Sequence, residues 1–93
     1  MKRVAVLPSF SRSVKALSPR QRQALQRCME LFNIFLTRGE LPVGLGFKKI
    51  NGDKYEIRAD IRLRIVFKLT GDCYFLVLAG SHDQVRRWLK QYR

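Results

Sequence analysis

The spacing of apolar residues changes once along this chain, and that change confines the fold. Before Gly39 apolar side chains recur every three or four positions. Leu25, Cys28, Met29, Phe32, Phe35 and Leu36 form one broad stripe, with Arg20, Arg22, Arg27 and Glu30 off it. This is the pattern of a helix that buries one face. From Lys54 the period becomes two, the pattern of half-buried strands. Helical stripes and alternating strands in one short chain call for a sheet with helices packed on its apolar face.

Local signals punctuate the two patterns. Arg3 to Leu7 reads as a short strand ended by Pro8. Ser9 or Ser11 can cap a short helix with Phe10, Val14 and Leu17 on one face. Ser18-Pro19 is an N-cap followed by proline at the first helical position, and Gly39 is a natural helix stop. The two helices form a hairpin with a basic outer face. Leu41 to Gly46, with Pro42, Gly44 and Gly46, reads as a loop. Phe47–Ile50 can be a strand, and Asn51-Gly52 is a hairpin signal.

In 54–59, Tyr55, Ile57 and Ala59 face one way, and Lys54, Glu56 and Arg58 the other. In 61–69, Ile61, Leu63, Ile65, Phe67 and Leu69 face one way, and Arg62, Arg64, Val66 and Lys68 the other. Thr70-Gly71-Asp72 turns the chain, and Cys73–Ala79 is apolar enough to be buried on both faces. Ser81-His82-Asp83-Gln84 has the form of a capping box, opening a last helix with Val85, Trp88, Leu89 and Tyr92 at helical spacing. The expected fold is α+β, in the order β-α-α-β-β-β-α. Its sheet is mainly antiparallel, with the hairpin on one face and a C-terminal helix.

The length of 93 residues suits one domain, residues 1–93. Lys2-Arg3 precede too short an apolar run for a signal peptide, and no stretch is long enough to span a membrane. Cys28 and Cys73 match no metal-ligand spacing, and read as small apolar side chains in a reducing cytoplasm. The formal charge is +12, from 19 Lys+Arg against 7 Asp+Glu. Such an excess is tolerated most readily where the partner is a polyanion. Residues 1–29 hold seven of the basic residues and no acid, and residues 48–68 hold another seven against three acids. The alternation puts Lys54, Arg58, Arg62, Arg64 and Lys68 on one sheet face with only Glu56 among them, a surface suited to a phosphate backbone.

At this point the sequence resembles a known family. Lys54-Tyr55-Glu56-Ile57-Arg58, then Arg64-Ile65-Val66-Phe67, then Leu78-Ala79-Gly80-Ser81-His82 before a terminal helix, follow the order and spacing of the RelE/ParE superfamily of toxins from bacterial toxin–antitoxin systems. The resemblance implies a cytoplasmic, ribosome-dependent mRNA endoribonuclease that needs no metal or other cofactor. It would be neutralised by a cognate antitoxin, acidic and encoded nearby. Its partners would be the ribosome and mRNA, with no membrane and no small-molecule substrate. The 2′-hydroxyl would attack the adjacent phosphate, with a base, an acid and cations arranged around it.

Carried over by position, Arg64 matches the arginine that contacts the scissile phosphate in RelE- and YoeB-type members. Arg58 keeps a cation where RelE has a lysine, while Glu56 reverses the charge of another RelE lysine. His82 matches the general acid or base of YoeB- and YafQ-type members. Trp88 falls where RelE has a tyrosine, and can stack on a base or anchor the last helix. Lys48 and Lys49 lie where the family has a basic residue followed by glycine, which Ile50 replaces. The catalytic candidates are therefore His82, Arg64, Arg58 and Glu56, the last being either a general base or a cross-strand partner of an arginine. The RNA-binding candidates are Lys48, Lys49, Lys54, Arg62, Lys68 and Trp88. Two other readings fit the same fold: a non-enzymatic inhibitor of DNA gyrase, as in the ParE branch, and a nucleic-acid-binding member without catalysis.

Overall fold

The longest helix begins where the sequence places its signal. Ser18 Oγ accepts the Gln21 N–H at 3.2 Å, and Gln21 Oε1 accepts the Ser18 N–H at 3.0 Å. This reciprocal cap satisfies two backbone donors that the first turn leaves unpaired. The helix runs Pro19–Arg38 and ends on Gly39, whose φ of 76° is left-handed and unstrained for glycine.

The computed structural model describes residues 2–91, and Tyr92, expected on the last helix, lies outside them. Its elements are β1 (Arg3–Val6), α1 (Pro8–Lys15), α2 (Pro19–Arg38), β2 (Gly46–Asn51), β3 (Lys54–Asp60), β4 (Leu63–Thr70), β5 (Cys73–Gly80) and α3 (His82–Gln91). The α+β class and the expected order hold, with four strands after the hairpin because 46–51 forms a full strand. The sheet order is β1-β5-β4-β3-β2. The last four strands are antiparallel to one another, and β1 lies parallel to β5. No helix is long and apolar enough to cross a membrane among the described residues.

Three local expectations are corrected. Neither Ser9 nor Ser11 caps α1, which starts at Pro8 without a side-chain cap. Ser9 Oγ instead donates to the Val77 carbonyl at 2.7 Å, and Ser13 Oγ accepts the Ala79 N–H at 2.9 Å, so α1 is tied to β5. Ile61 and Arg62 are not strand residues. The register shifts between Arg58 and Asp60, the turn tightens, and Ile61 stands 86% exposed rather than facing the core. Nor do all helices share the apolar face.

The main core lies between the hairpin and one sheet face. Phe67 is fully buried at its centre, with ring centroids 5.2 Å from Phe32, 5.2 Å from Tyr74 and 5.6 Å from Phe47. Truncating such a ring costs about 3–5 kcal/mol. Cys28 is buried here, and burial pushes its thiol up to about 11, so it stays neutral. Val66, Val77 and Val85 are buried too, yet outside this core. Val66 alternates with Ile65 and Phe67, so it faces away from the hairpin, where α3 packs on β4 and β5. A register shift opposite Val66 and Phe67 lets Leu76 and Ala79 both reach the hairpin side.

Candidate functional site

The strand register sets the site. Gly46 of β2, Arg58 of β3, Arg64 of β4 and Gly80 of β5 lie in one row across the sheet. The next row on the same face, two residues along, is Lys48, Glu56, Val66 and Leu78. Residues directly opposite on antiparallel strands have Cβ atoms about 5 Å apart. Two arginines are thus held side by side, with a lysine and a carboxylate in the next row.

Arg64 Nη1 donates to Glu56 Oε2 at 2.7 Å, with side chains only 17% and 11% exposed. A carboxylate this deep needs such a charge partner. Together with Gly46, Phe47, Lys48 and Arg58, the pair lines an open pocket of about 270 Å³. Arg58 and Lys48 are exposed and make no ion pair among the described residues. Three cations against one carboxylate leave the pocket positive, and the guanidinium forks match the geometry of a phosphate.

His82 reaches this row through Gly80. At Gly80 a Cβ would sit 2.6 Å from Gln84 Oε1, so a larger residue there would displace the side chain that caps α3. Ser81 then caps the helix as expected: Gln84 Oε1 accepts the Ser81 N–H at 2.7 Å, and Ser81 Oγ accepts the Gln84 N–H at 3.2 Å. His82 is the first helical residue, two positions beyond the partner of Arg64. It shares a helical face with Val85 (i+3) and Leu89 (i+7), and Val85 is buried. His82 is therefore the exposed end of the face that α3 turns to the sheet.

The structure gathers Arg58, Arg64, Glu56 and Lys48 in one pocket, whereas His82, two residues beyond the partner of Arg64, is not among the residues that line it. The other candidates lie elsewhere. Lys54 and Lys68 oppose each other further along β3 and β4, where Asp53 lies 3.6 Å from Lys54 and 4.0 Å from Lys68. Lys49 alternates with Lys48, so it faces the hairpin side of β2. Arg62 sits in the β3–β4 turn and not on the sheet face, its N–H held by Asp60 Oδ1 at 2.7 Å. Trp88 is half-buried on α3. Sequence reasoning passed over Gly46 and Phe47, which line the pocket, and Gly80. Only the strand register places the first two, and a glycine directly before a capping box is the signal that the third leaves room for the capping Gln84 side chain.

No family model matches the sequence, and no curated protein does either. Solved structures do match. YafQ in the Escherichia coli DinJ-YafQ toxin–antitoxin complex has a TM-score of 0.71 at 18% identity, covering 91% of this chain and 98% of that one. A chain of the RelB-RelE antitoxin–toxin complex from Methanococcus jannaschii gives 0.69 at 16% identity, over 90% and 96%. YoeB from Staphylococcus aureus, solved as a dimer, gives 0.65 at 14% identity, over 87% and 97%. At such identities the likeness is one of architecture, and it spans nearly the whole of each chain. This chain has the fold of the RelE-like toxins.

Proposed function

We propose that this protein is the toxin of a toxin–antitoxin pair, and that it cleaves mRNA on the ribosome without a metal ion. The observation that carries the reading is the Arg58–Arg64 rung, two guanidinium groups opposed in a positive pocket beside Glu56 and Lys48. Like charges directly opposite each other are unfavourable in a sheet, and a bound phosphate would relieve the repulsion.

In this reading the scissile phosphate sits between Arg58 and Arg64. The 2′-oxygen forms a bond to phosphorus as the bond from phosphorus to the 5′-oxygen breaks. Glu56 Oε2 holds Arg64 in place, leaving Oε1 to receive the 2′-hydroxyl proton. His82 delivers a proton to the leaving 5′-oxygen. An imidazole can serve as either proton donor or proton acceptor, the two roles this step and its reverse need. The arginines stabilise the charge that builds on the phosphate oxygens. The ribosome, as a polyanion, is the docking surface for the basic outside of the hairpin, and an acidic antitoxin is the neutralising partner.

The test is expression in bacteria with mapping of mRNA 5′ ends. The reading expects new ends within translated codons and arrested growth, relieved by His82→Ala. Intact transcripts with normal growth would refute it. Arrest with intact transcripts and lost supercoiling would point to gyrase. The Arg64–Glu56 pair also favours a second reading, a binding protein without catalysis in which that pair is purely structural. RNA binding without new ends would establish that alternative.

A further inference from the structure

The β3–β4 turn lies one rung beyond Arg58 and Arg64, where Asp60 pairs with Leu63 and the chain rounds the end of the sheet through Ile61 and Arg62. A second and larger groove, of about 580 Å³, opens there between the turn and the start of α2. It is lined by Ser18, Arg20, Gln21, Asp60, Ile61 and Arg62.

Four features of this groove bear on what it holds. Arg20 and Arg62 are both exposed, and neither makes an ion pair among the described residues. Its single carboxylate, Asp60, already accepts the Arg62 N–H through Oδ1. Ile61 is 86% exposed, an apolar side chain that packs no core. The helix start adds no free donor at Ser18 or Gln21, because the two cap each other. Cations flanking an exposed apolar side chain can serve a single-stranded nucleic acid, phosphate on the cation and sugar or base packed on the apolar surface.

Building on the reading of the Arg58–Arg64 rung as a scissile-phosphate site, we propose that this groove seats the flanking stretch of the same single-stranded RNA. A neighbouring phosphate lies between Arg20 and Arg62, and Ile61 packs against its sugar or base. The Cα atoms of Arg62 and Arg64 are two residues apart, at most about 7 Å, so a strand leaving the pocket around the sheet end passes directly into the groove. That continuity favours RNA over an acidic polypeptide, which would satisfy the two arginines but has no reason to run on from the pocket.

The test compares equilibrium binding of a 2′-O-methyl trinucleotide and a 2′-O-methyl nonanucleotide, neither of which can be cleaved through the blocked 2′-oxygen. The trinucleotide reaches the pocket alone, and the nonanucleotide reaches both sites. Arg20→Ala with Arg62→Ala should weaken nonanucleotide binding about tenfold or more and leave the trinucleotide unchanged. Losing one phosphate contact should lower the slope of log affinity against log salt by about 0.7. Arg20→Lys with Arg62→Lys should recover most of the loss. The proposal fails if the alanine variant binds the nonanucleotide as well as the wild type does, or weakens both ligands equally. It also fails if a nonaglutamate peptide binds as tightly and is lost in the same variant, since the groove would then serve an acidic protein. Arg58→Ala separates this proposal from the reading it rests on. If Arg58→Ala spares the trinucleotide while the groove variant still weakens the nonanucleotide, the rung is misread and the groove stands.

Discussion

The β3–β4 ladder contains two rungs of like charge, and they are resolved differently. At one, Lys54 opposes Lys68 with Asp53 within 3.6 Å and 4.0 Å of the two ammonium groups. One carboxylate there serves both cations. At the other, Arg58 opposes Arg64, and Glu56 is bound to Arg64 alone at 2.7 Å. Arg58 and the nearby Lys48, which stands opposite Glu56, make no ion pair among the described residues. The first rung is internally balanced, with Lys54 13% exposed and Lys68 41% exposed around one shared carboxylate. The second is unbalanced, lies in a pocket and is made of planar forks. A sheet keeps such a rung at a cost in stability, so the difference favours Arg58–Arg64 over Lys54–Lys68 as the proposed phosphate site, although both look alike in the sequence.

The sharpest way to break this contrast is to remove one arginine. Arg64→Ala should lower mRNA cleavage about 100- to 1,000-fold, the usual effect of removing a donor aimed at developing charge. Lys68→Ala should change it less than about twofold. Both rates are read by primer extension on a translated message. Equal losses would mean that the whole face, and not the rung, carries the chemistry. Glu56→Gln sharpens the same comparison. It keeps the shape and the hydrogen bond to Arg64 and removes the charge that competes with a phosphate. Binding of a non-cleavable oligonucleotide should tighten several-fold while the rate of cleavage falls about 100-fold, as for loss of a general base. A fall in binding with unchanged turnover would assign Glu56 a purely structural role.

Inorganic phosphate gives a third, smaller contrast without any RNA. A ligand that binds only the folded state raises the melting temperature, and the rise grows with the logarithm of its concentration above Kd. Phosphate at saturating concentration should raise it by a few degrees in the wild type. It should do little in Arg58→Ala, and Lys54→Ala should behave like the wild type. A phosphate response lost equally in both variants would merge the two rungs.

Which parts of this were legible in advance follows from what a sequence period can register. The Leu25–Leu36 stripe, the Asn51-Gly52 hairpin and the Ser81–Gln84 cap are local signals, and each appears in the structure where it is read. The alternation of β3 correctly sets Glu56 and Arg58 on one face and Ile57 on the other. Alternation fails where the chain inserts a residue. The register shift between Arg58 and Asp60 moves Arg62 off the face and exposes Ile61, and the shift opposite Val66 and Phe67 breaks the parity of β5. Long-range choices are also silent in a period. Nothing in Arg3–Val6 says that it joins β5 in parallel, and nothing in the α3 stripe says which face of the sheet it covers. The candidate site was thus half legible. Its residue types and Arg64 were readable, but the grouping of Lys48 with the arginines and the separation of Lys54 and Lys68 needed the register.

The smallest predicted effect tests the comparison from the other side, by making the balanced rung resemble the unbalanced one. Asp53→Asn removes the carboxylate between Lys54 and Lys68. The Asp53 and Lys68 side chains are 43% and 41% exposed, and a pair so open to water contributes less than about 1 kcal/mol, while Lys54, 13% exposed, is paired at 3.6 Å with the same half-exposed carboxylate. The variant should therefore melt within a few degrees of the wild type. Its two lysines would then face each other without a counter-charge, so added phosphate should stabilise it by slightly more than it stabilises the wild type. The increment should vanish at high salt, because exposed charges are screened. It should also stay well below the response of the Arg58–Arg64 rung, because an ammonium offers a point charge where a guanidinium offers two aligned donors. Differential scanning fluorimetry across a phosphate series reads all of this. A response in Asp53→Asn as large as that of the arginine rung would show that uncompensated charge alone makes an anion site on this sheet, and that the pocket and the paired forks add nothing.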